Sequence, residues 1–545
     1  MAFFTDRDVQ ISIQKETTFG TAATNAMEQV RHVEEGSELS MLTVASESIR
    51  GDRNIEDVFL TQKNSTFRFQ KESELSYGVV RELIAAAING TVTDVNTNDF
   101  YPENSGKPPF SHYGTLSFLT AMRFQGYSVA TNHGATPPTP GHGLMQTSGG
   151  TGPLNSRNLA RHGLWFYVFP YNASGVQQTS VGNGNLFRCF YAQPVSDQTK
   201  SGKFVELEGH AFPANLTLGS NDLVYFAPCS QFVSDGTTDS TFTIQKRFGT
   251  TGIAGSVETH TGCYVREWVI RADNQGRVTY DFDFIGKDTT YGSTSSNPTV
   301  AADHNRLTVH STTDNVEVFA TQKPTPEYDS SGISTDVLST NDQASAGFRL
   351  NDLPGFLNME VRFENAASTR RVLGDATPDS FLKTDLIATG SFTLYLTNTT
   401  MNIVDDIYDG FEDGRLAFEI SNFDVAQTMT DEQGWTNDTR VASTFTTLLS
   451  GTNLPNTSFW PDEKSNTKHQ MLRTMILDFP RVKFFPIRQN VQAVNEDRTV
   501  TIGFKAYENE KAFMDNDATD DTAYKAASTV IWFYDEKGRT NARAT

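Results

Sequence analysis

Ser76-Tyr77-Gly78-Val79-Val80-Arg81-Glu82-Leu83-Ile84 runs on to Asn89-Gly90, and Thr400-Met401-Asn402-Ile403-Val404-Asp405-Asp406-Ile407-Tyr408 runs on to Asp413-Gly414. Each stretch opens on a hydroxyl residue suited to cap the free amides of a helix start. Each sets paired apolar residues at the same offsets: Val79/Val80 with Leu83/Ile84, and Ile403/Val404 with Ile407/Tyr408. That spacing predicts the packing stripe of a short amphipathic helix. Each ends, equally far from its cap, in a glycine able to take the left-handed conformation. A β-rich chain that repeats its one clear helix predicts a duplicated domain, and duplication points to ring building.

The flanking patterns repeat in the same order. Before the first helix come Val58–Gln62 and Ser65–Phe69; before the second come Phe381–Thr384 and Gly390–Leu396. Their alternation of apolar and polar residues predicts strands with one buried face. Farther on, Cys263–Trp268 with Arg277–Phe282, and Pro480–Phe485 with Arg498–Phe504, each read as a hairpin across a polar turn.

The composition sets bounds. A chain of 545 residues holds two or three domains, and 39 Phe with 17 Tyr against few helical patterns favour β structure. Three Cys provide neither a disulfide framework nor a CxxC metal site. Charges in the first residues break any secretory core, and no apolar run has membrane-spanning length, so folding in a reducing cytoplasm is expected and no membrane partner is. The formal charge of −21 disfavours a grip on nucleic acid by counterion release. An acidic channel around DNA would instead repel phosphates and let the polymer slide.

The span from Gly90 to Val265 is far longer than the matching span from Gly414 to Val482, so the first copy carries an insert. Within it, 131–153 is a Gly/Pro-rich loop. Leu116–Phe118, Leu164–Phe169, Leu186–Tyr191 and Phe204–Leu207 read as strands around that loop. The expected organisation is a first domain over 1–100 and 236–290, a β-rich, loop-decorated insert over 101–235, a linker over 291–346 and a second domain over 347–545.

Catalytic, cofactor and metal signatures are wanting. His133, His142, His162 and His210 match no zinc spacing. Asp515–Asp521 lacks the glycine and the terminal glutamate of a calcium loop. Ser148–Pro153 is Gly-rich without the lysine of a phosphate loop. Asp281 and Asp283 share a strand face; a carboxylate pair is what a glycoside hydrolase would use, but adjacent positions on one face read more simply as its wet side. No catalytic residue, cofactor or metal is assigned.

Three phrases carry a resemblance: Ile11-Ser12-Ile13-Gln14-Lys15-Glu16-Thr17-Thr18-Phe19-Gly20-Thr21, Ser46-Glu47-Ser48-Ile49-Arg50-Gly51-Asp52-Arg53, and Glu74-Leu75-Ser76-Tyr77-Gly78 before the Ala-rich helix. Thr261-Gly262-Cys263 and Gly276-Arg277-Val278-Thr279 add to it. In this order they resemble the tail tube (major tail) proteins of long-tailed bacteriophages, over about residues 10–290 and more loosely to 510. This chain is longer than the usual member.

The resemblance implies a mainly β fold: duplicated tail-tube-type β-sandwich/barrel domains, each with one short flanking helix, plus the β-rich insert. It implies a structural virion protein, not an enzyme, assembled in the host cytoplasm into the virion tail. Its partners would be copies of itself and other tail proteins, with viral DNA passing through the lumen without specific binding. Two tube domains per chain make three chains a pseudo-hexameric ring; six whole chains is the alternative. The insert is expected outside the tube or between rings. Asp281 and Asp283 become candidates for an acidic lumen wall. The competing reading is a carbohydrate-binding, β-rich surface adhesin that stacks sugars on Trp165, Phe166, Tyr167 and Phe169 of the insert.

Overall fold

The computed structural model describes residues 9–23, 27–45, 58–73, 78–94, 114–120, 123–128, 165–171, 185–192, 204–209, 223–228, 231–249, 256–273, 276–293, 316–321, 356–397, 413–421, 474–485, 489–490, 498–514 and 524–534. Strands β1 (Val9–Lys15), β2 (Glu28–Val30), β3 (Glu34–Ala45) and β4 (Val58–Glu72) lead to the helix α1 (Val79–Ala87). Then come β5 (Thr93–Asp94), β6 (Gly114–Thr120), β7 (Arg123–Ser128), β8 (Trp165–Tyr171), β9 (Asn185–Ala192), β10 (Phe204–Gly209), β11 (Leu223–Pro228) and β12 (Gln231–Ser234). The middle of the chain forms β13 (Phe242–Phe248), β14 (Val257–Asp273), β15 (Thr279–Gly286), β16 (Asp288–Gly292), β17 (Val316–Thr321), β18 (Phe356–Arg370) and β19 (Ser380–Tyr395). The rest forms β20 (Asp413–Ser421), β21 (Thr474–Phe485), β22 (Gln489–Asn490), β23 (Thr499–Ala506), β24 (Asn509–Met514), β25 (Tyr524–Ala527) and β26 (Val530–Tyr534). The fold is mainly β, with one short helix among the described residues.

The chain divides into two compact units: residues 1–92, 233–311 and 357–393 form the first, and 93–232, 312–356 and 394–545 form the second. In the first unit, the 17-residue strand β14 serves two antiparallel sheets. Its first half pairs with β13 and β16, and β13 carries β1 and then β2. Its second half lies between β15 and β18, and β15 carries β4 and then β3. The hairpin expected from Cys263–Trp268 and Arg277–Phe282 is thus β14–β15. The two patterns at Val58–Gln62 and Ser65–Phe69 are one 15-residue strand, because β3 pairs along its whole length.

Alternation decides the faces. Along β15 every second residue is buried, so Tyr280, Phe282 and Phe284 point into the core. Phe67 and Phe69 of β4, Trp268 of β14 and Phe363 of β18 join them, all at most 2% exposed. Phe282 stacks with Phe69 at 5.4 Å between ring centroids, and Trp268 stacks with Phe363 at 5.0 Å. Rings of this size dominate the stability of a half-buried sheet.

Helix α1 packs on β14 and β1. Val79, Val80, Leu83 and Ile84 are all buried. Ser76 lies outside the described residues; the position before the helix is Gly78 at φ 122, and Val79 N–H donates to Glu28 Oε2 at 2.9 Å. A carboxylate from β2 therefore does the capping, aided by the positive end of the helix dipole. At the far end Asn89, not Gly90, takes the left-handed conformation, at φ 53. Asn89 N–H donates to Ala86 O at 3.1 Å and Gly90 N–H to Ala85 O at 2.8 Å, the paired bonds of a Schellman motif. Gly90 is required for space: a Cβ there would sit 2.3 Å from Ser234 O.

Ile403, Val404, Ile407 and Tyr408 lie outside the described residues. Gly414 is the second residue of β20, opposite Val482, and so is not a helix stop. In the second unit β21 pairs with β20, β23 and β26. The hairpin expected from Pro480–Phe485 and Arg498–Phe504 is β21–β23, with Phe484 opposite Phe504. A separate six-stranded sheet in the order β11-β8-β9-β10-β7-β6 occupies the insert. Four of its strands were expected; β7 and β11 were not. His133, His142, His162, His210, the 131–153 loop and Asp515–Asp521 lie outside the described residues.

Candidate functional site

The face of the five-stranded block that turns away from the aromatic core is densely charged. Cross-strand register orders it in rows. One row reads Glu364, Glu267, Asp283, Arg68 and Gly36 across β18, β14, β15, β4 and β3. The next reads Arg362, Val269, Asp281, Gln70 and Glu34, and the third Glu360, Arg271, Thr279 and Glu72. Three carboxylates stand side by side in the first row. Like charges directly opposite are unfavourable by themselves.

Guanidinium groups relieve that repulsion. A register shift between Val265 and Glu267 leaves Arg266 exposed beside Glu267. Arg266 pairs with Asp283, and Arg271 pairs with both Asp281 and Glu360, the latter at 3.1 Å. Arg362 reaches Glu267 at 2.7 Å, Glu364 at 3.4 Å and Glu360 at 3.7 Å. Burial lowers the pKa of Arg362, but these carboxylates outweigh it and raise it above the usual value. Arg277 pairs with Glu72, and Arg68 approaches Glu34 at 3.5 Å. Asp281 and Asp283, the acidic pair expected from sequence, are thus on this face, but as members of ion pairs. Glu360, Arg362 and Glu364 were not anticipated, although Met359-Glu360-Val361-Arg362-Phe363-Glu364 alternates strictly.

The β21–β23 hairpin carries a different pattern. There Lys483 of β21 stands opposite Lys505 of β23, two lysines in direct cross-strand register.

A second constellation is internal. Ser65 Oγ lies 3.1 Å from His260 Nδ1, and His260 Nε2 lies 3.4 Å from Glu258 Oε1. Thr289 Oγ1 completes the cluster, 3.0 Å from the same ring nitrogen and 2.7 Å from Ser65. The residue types are those of a serine hydrolase relay, and no sequence motif announced them. Ser65 and His260 are fully buried, however, so no substrate carbonyl can reach the hydroxyl. The cluster joins buried polar groups of β4, β14 and β16 through the Ser65 and Thr289 hydroxyls and His260 Nδ1.

Two of the phrases that carry the family resemblance meet at Glu16. Its carboxylate accepts from Gly20 N–H at 3.0 Å, Gly262 N–H at 2.8 Å, Thr241 Oγ1 at 2.8 Å and Thr243 Oγ1 at 2.9 Å. Gly20 and Gly262 both have positive φ, and Lys287 packs over both. The Lys-Glu-Thr-Thr-Phe-Gly opening and the Thr-Gly-Cys phrase are therefore two halves of one buried anchor.

The phage tail tube protein family model matches residues 6–456. The chain belongs to that family. A comparison with curated proteins returns no match. A tail tube protein is a structural component of the phage virion tail, and nothing in its role asks for a nucleophile. Buried as they are, the serine–histidine–glutamate cluster and the Glu16 anchor belong to the scaffold.

Proposed function

We propose that the chain assembles into stacked rings of a virion tail tube, three chains to a ring, with the charged sheet face lining a lumen through which DNA leaves the capsid. The observation that carries this reading is the pairing of β14 with β18. Strand β14 opens the first hairpin, and β18 opens the segment read as the second copy, so a strand of one copy already pairs with the first strand of the next. The β14–β15 and β21–β23 hairpins correspond in register: Trp268 and Val265 stand opposite Phe282 and Phe284, as Phe484 and Val482 stand opposite Phe504 and Ala506.

By that correspondence two edges lack their match. The outer edge of β3 has no strand partner among the described residues, and neither does the outer edge of β21 beyond Lys483. Trp268 is wholly buried beneath Phe363, whereas Phe484 is only half-buried and Phe485 is exposed. Contact between β3 of one chain and the Phe484–Phe485 end of β21 of the next would make a heterologous, ring-closing interface. The insert, present in one copy only, lies outside the lumen in this reading, since a bulky insert would block duplex DNA roughly 20 Å across, a limit set by the major-groove and backbone dimensions of the duplex.

Cryo-electron microscopy of purified protein tests the proposal. Tubes of three-chain rings with β3–β21 contacts are expected. Rings of six whole chains refute the trimer while leaving the tube; monomers under all conditions sink the tube. The adhesin alternative predicts those monomers and binding to a glycan array.

A further inference from the structure

We infer that the turn over residues 371–379, between β18 and β19, is a rigid apolar knob that inserts into a second copy of the chain on assembly, with Leu373 at its tip. The inference rests on the self-assembly proposed above, but not on the number of chains in a ring or on which face lines the lumen. Every residue it uses belongs to the first compact unit.

The sequence Arg371-Val372-Leu373-Gly374-Asp375-Ala376-Thr377 accounts for the shape. Gly374 takes φ 94, a conformation that favours glycine, and no described residue comes within 4 Å of where its Cβ would be. Asp375 Oδ1 accepts from Thr377 N–H and from Thr377 Oγ1, both at 2.8 Å, which closes the turn locally. Asp379 N–H donates to Arg370 O at 2.9 Å and joins the two stems. Leu373 is left standing clear of the fold, at 106% exposure, with Val372 more than half exposed beside it.

A lone exposed leucine on a loose loop needs no explanation. This loop is braced. The Arg371 fork donates to Ala376 O inside the turn, and to Lys63 O at 2.9 Å and Asn64 Oδ1 at 2.5 Å on β4. Lys63 N–H returns a bond to Ala376 O at 2.9 Å. Behind the turn, Phe381 of β19 meets Phe19 edge-on at 5.4 Å between ring centroids and Tyr264 at 6.1 Å. A tip held this way has already lost the freedom that binding would take from it, which favours association.

Two arguments make the partner a second copy. The turn is tied to β4 at Lys63, close in sequence to Leu60, where the exposed ribbon that carries Leu42, Phe59 and Leu60 begins. Turn, Leu382 and ribbon together expose apolar side chains on the order of the roughly 800 Å² that one partner brings to a standard interface. A tube built from one kind of chain also repeats every contact, so a knob on each copy meets the same acceptor on the next.

The test places a cysteine at the tip of the full chain, Leu373→Cys, and follows reaction of that position with a maleimide by peptide mass. Monomers should react freely. Assembled material should react about tenfold more slowly or less, as expected where an interface excludes water. Leu373→Asp should prevent assembly at concentrations where the native chain assembles, with the melting temperature unchanged. Leu373→Met keeps an apolar tip and should assemble normally. Tubes in which position 373 reacts as fast as in monomers would overturn the inference and leave the tube standing. Normal tubes from Leu373→Asp would do the same and leave the knob to another tail protein or to none. Protection of position 373 in assemblies that are not tubes would keep the inference and sink the tube. A native chain that stays monomeric at every concentration would sink both.

Discussion

Glu16 shows how a single side chain can make distant phrases of a sequence interdependent. Its carboxylate collects two amide and two hydroxyl donors while only 8% exposed. Glu16→Gln keeps the shape but turns an amide NH2 toward those donors. A loss of about 1.5–3 kcal/mol is expected, read by urea unfolding, because hydrogen bonds to a charged group are the stronger kind. Asn365 is a second such residue. Its amide donates to Ala87 O at 2.6 Å and its oxygen accepts from Asn89 Nδ2 at 2.9 Å, while Tyr264 OH donates to Asn89 Oδ1 at 2.7 Å. Burial pushes the Tyr264 phenol up to about 12, so it stays a donor at neutral pH. Asn365→Ala strands buried partners at the helix end and should cost about 1–3 kcal/mol. Glu258 gives a pH signature. Burial pushes its pKa up, but hydrogen bonding and attraction from His260, a hydrogen bond from Ser37 and the charge of Lys246 pull it down further, so it lies below the ordinary glutamate value of 4.5. The folded state therefore binds this proton less readily than the unfolded chain does. The resulting stability is present above pH 4.5 and is lost as pH falls through the lowered folded value. Glu258→Gln should remove that part of the acid transition, seen as a flatter melting temperature against pH below 4.5. Unchanged acid sensitivity would remove Glu258 from the account.

At the scale of elements, faces were legible and neighbours were not. Alternation in Thr279–Phe284 assigns Tyr280, Phe282 and Phe284 to the core without reference to any partner, because side-chain direction in a strand is a local property. Both hairpins were legible for the same reason, and so were four of the insert's strands. Which strand lies beside β14 was not, since β18 joins it from about ninety residues away and no local pattern encodes that choice. The charged face was therefore half-read: the aspartates were visible, but the arginines and glutamates that pair with them come from strands that only the register brings alongside. The helix shows the same division. Its buried stripe was plain, whereas its caps come from Glu28 and Asn365 on other elements. Gly90 was read as the left-handed residue, a role that belongs to Asn89; what fixes Gly90 is the carbonyl of Ser234. Gly90→Ala should thus destabilise by about 1–3 kcal/mol through a clash with backbone that has little room to yield. Asn89→Gly should be close to neutral in φ but lose the bonds to Tyr264 and Asn365, so it separates conformational from hydrogen-bonding effects at this turn.

For the whole molecule, the family was legible because its phrases bind one another in the fold, as the two halves of the Glu16 anchor do. The assembly is written in what the lone chain leaves uncovered. Beyond the aromatic block, the hairpin of β3 and β4 continues to Ala45 opposite Val58 and bares Met41, Leu42, Val44, Val58, Phe59 and Leu60, each at least 41% exposed. Apolar side chains gathered on one projecting ribbon are costly in water and mark a contact surface. In a structural protein of the phage tail tube family, the natural occupant is another copy of the chain. The shaft below the ribbon is held in place: Arg371 donates to Lys63 O at 2.9 Å, and Lys63 N–H donates to Ala376 O at 2.9 Å. A braced shaft carrying an apolar tip loses little further entropy when the tip is covered. Leu42→Asp with Phe59→Asp should therefore abolish tube formation while leaving the melting temperature of the monomer within a degree or two, since surface substitutions of this kind change stability by less than about 0.5 kcal/mol. Electron microscopy and calorimetry on the same sample read the two quantities separately. Tubes that form normally would assign the ribbon no part in assembly; a large fall in melting temperature would mean that the tip already packs within its own chain.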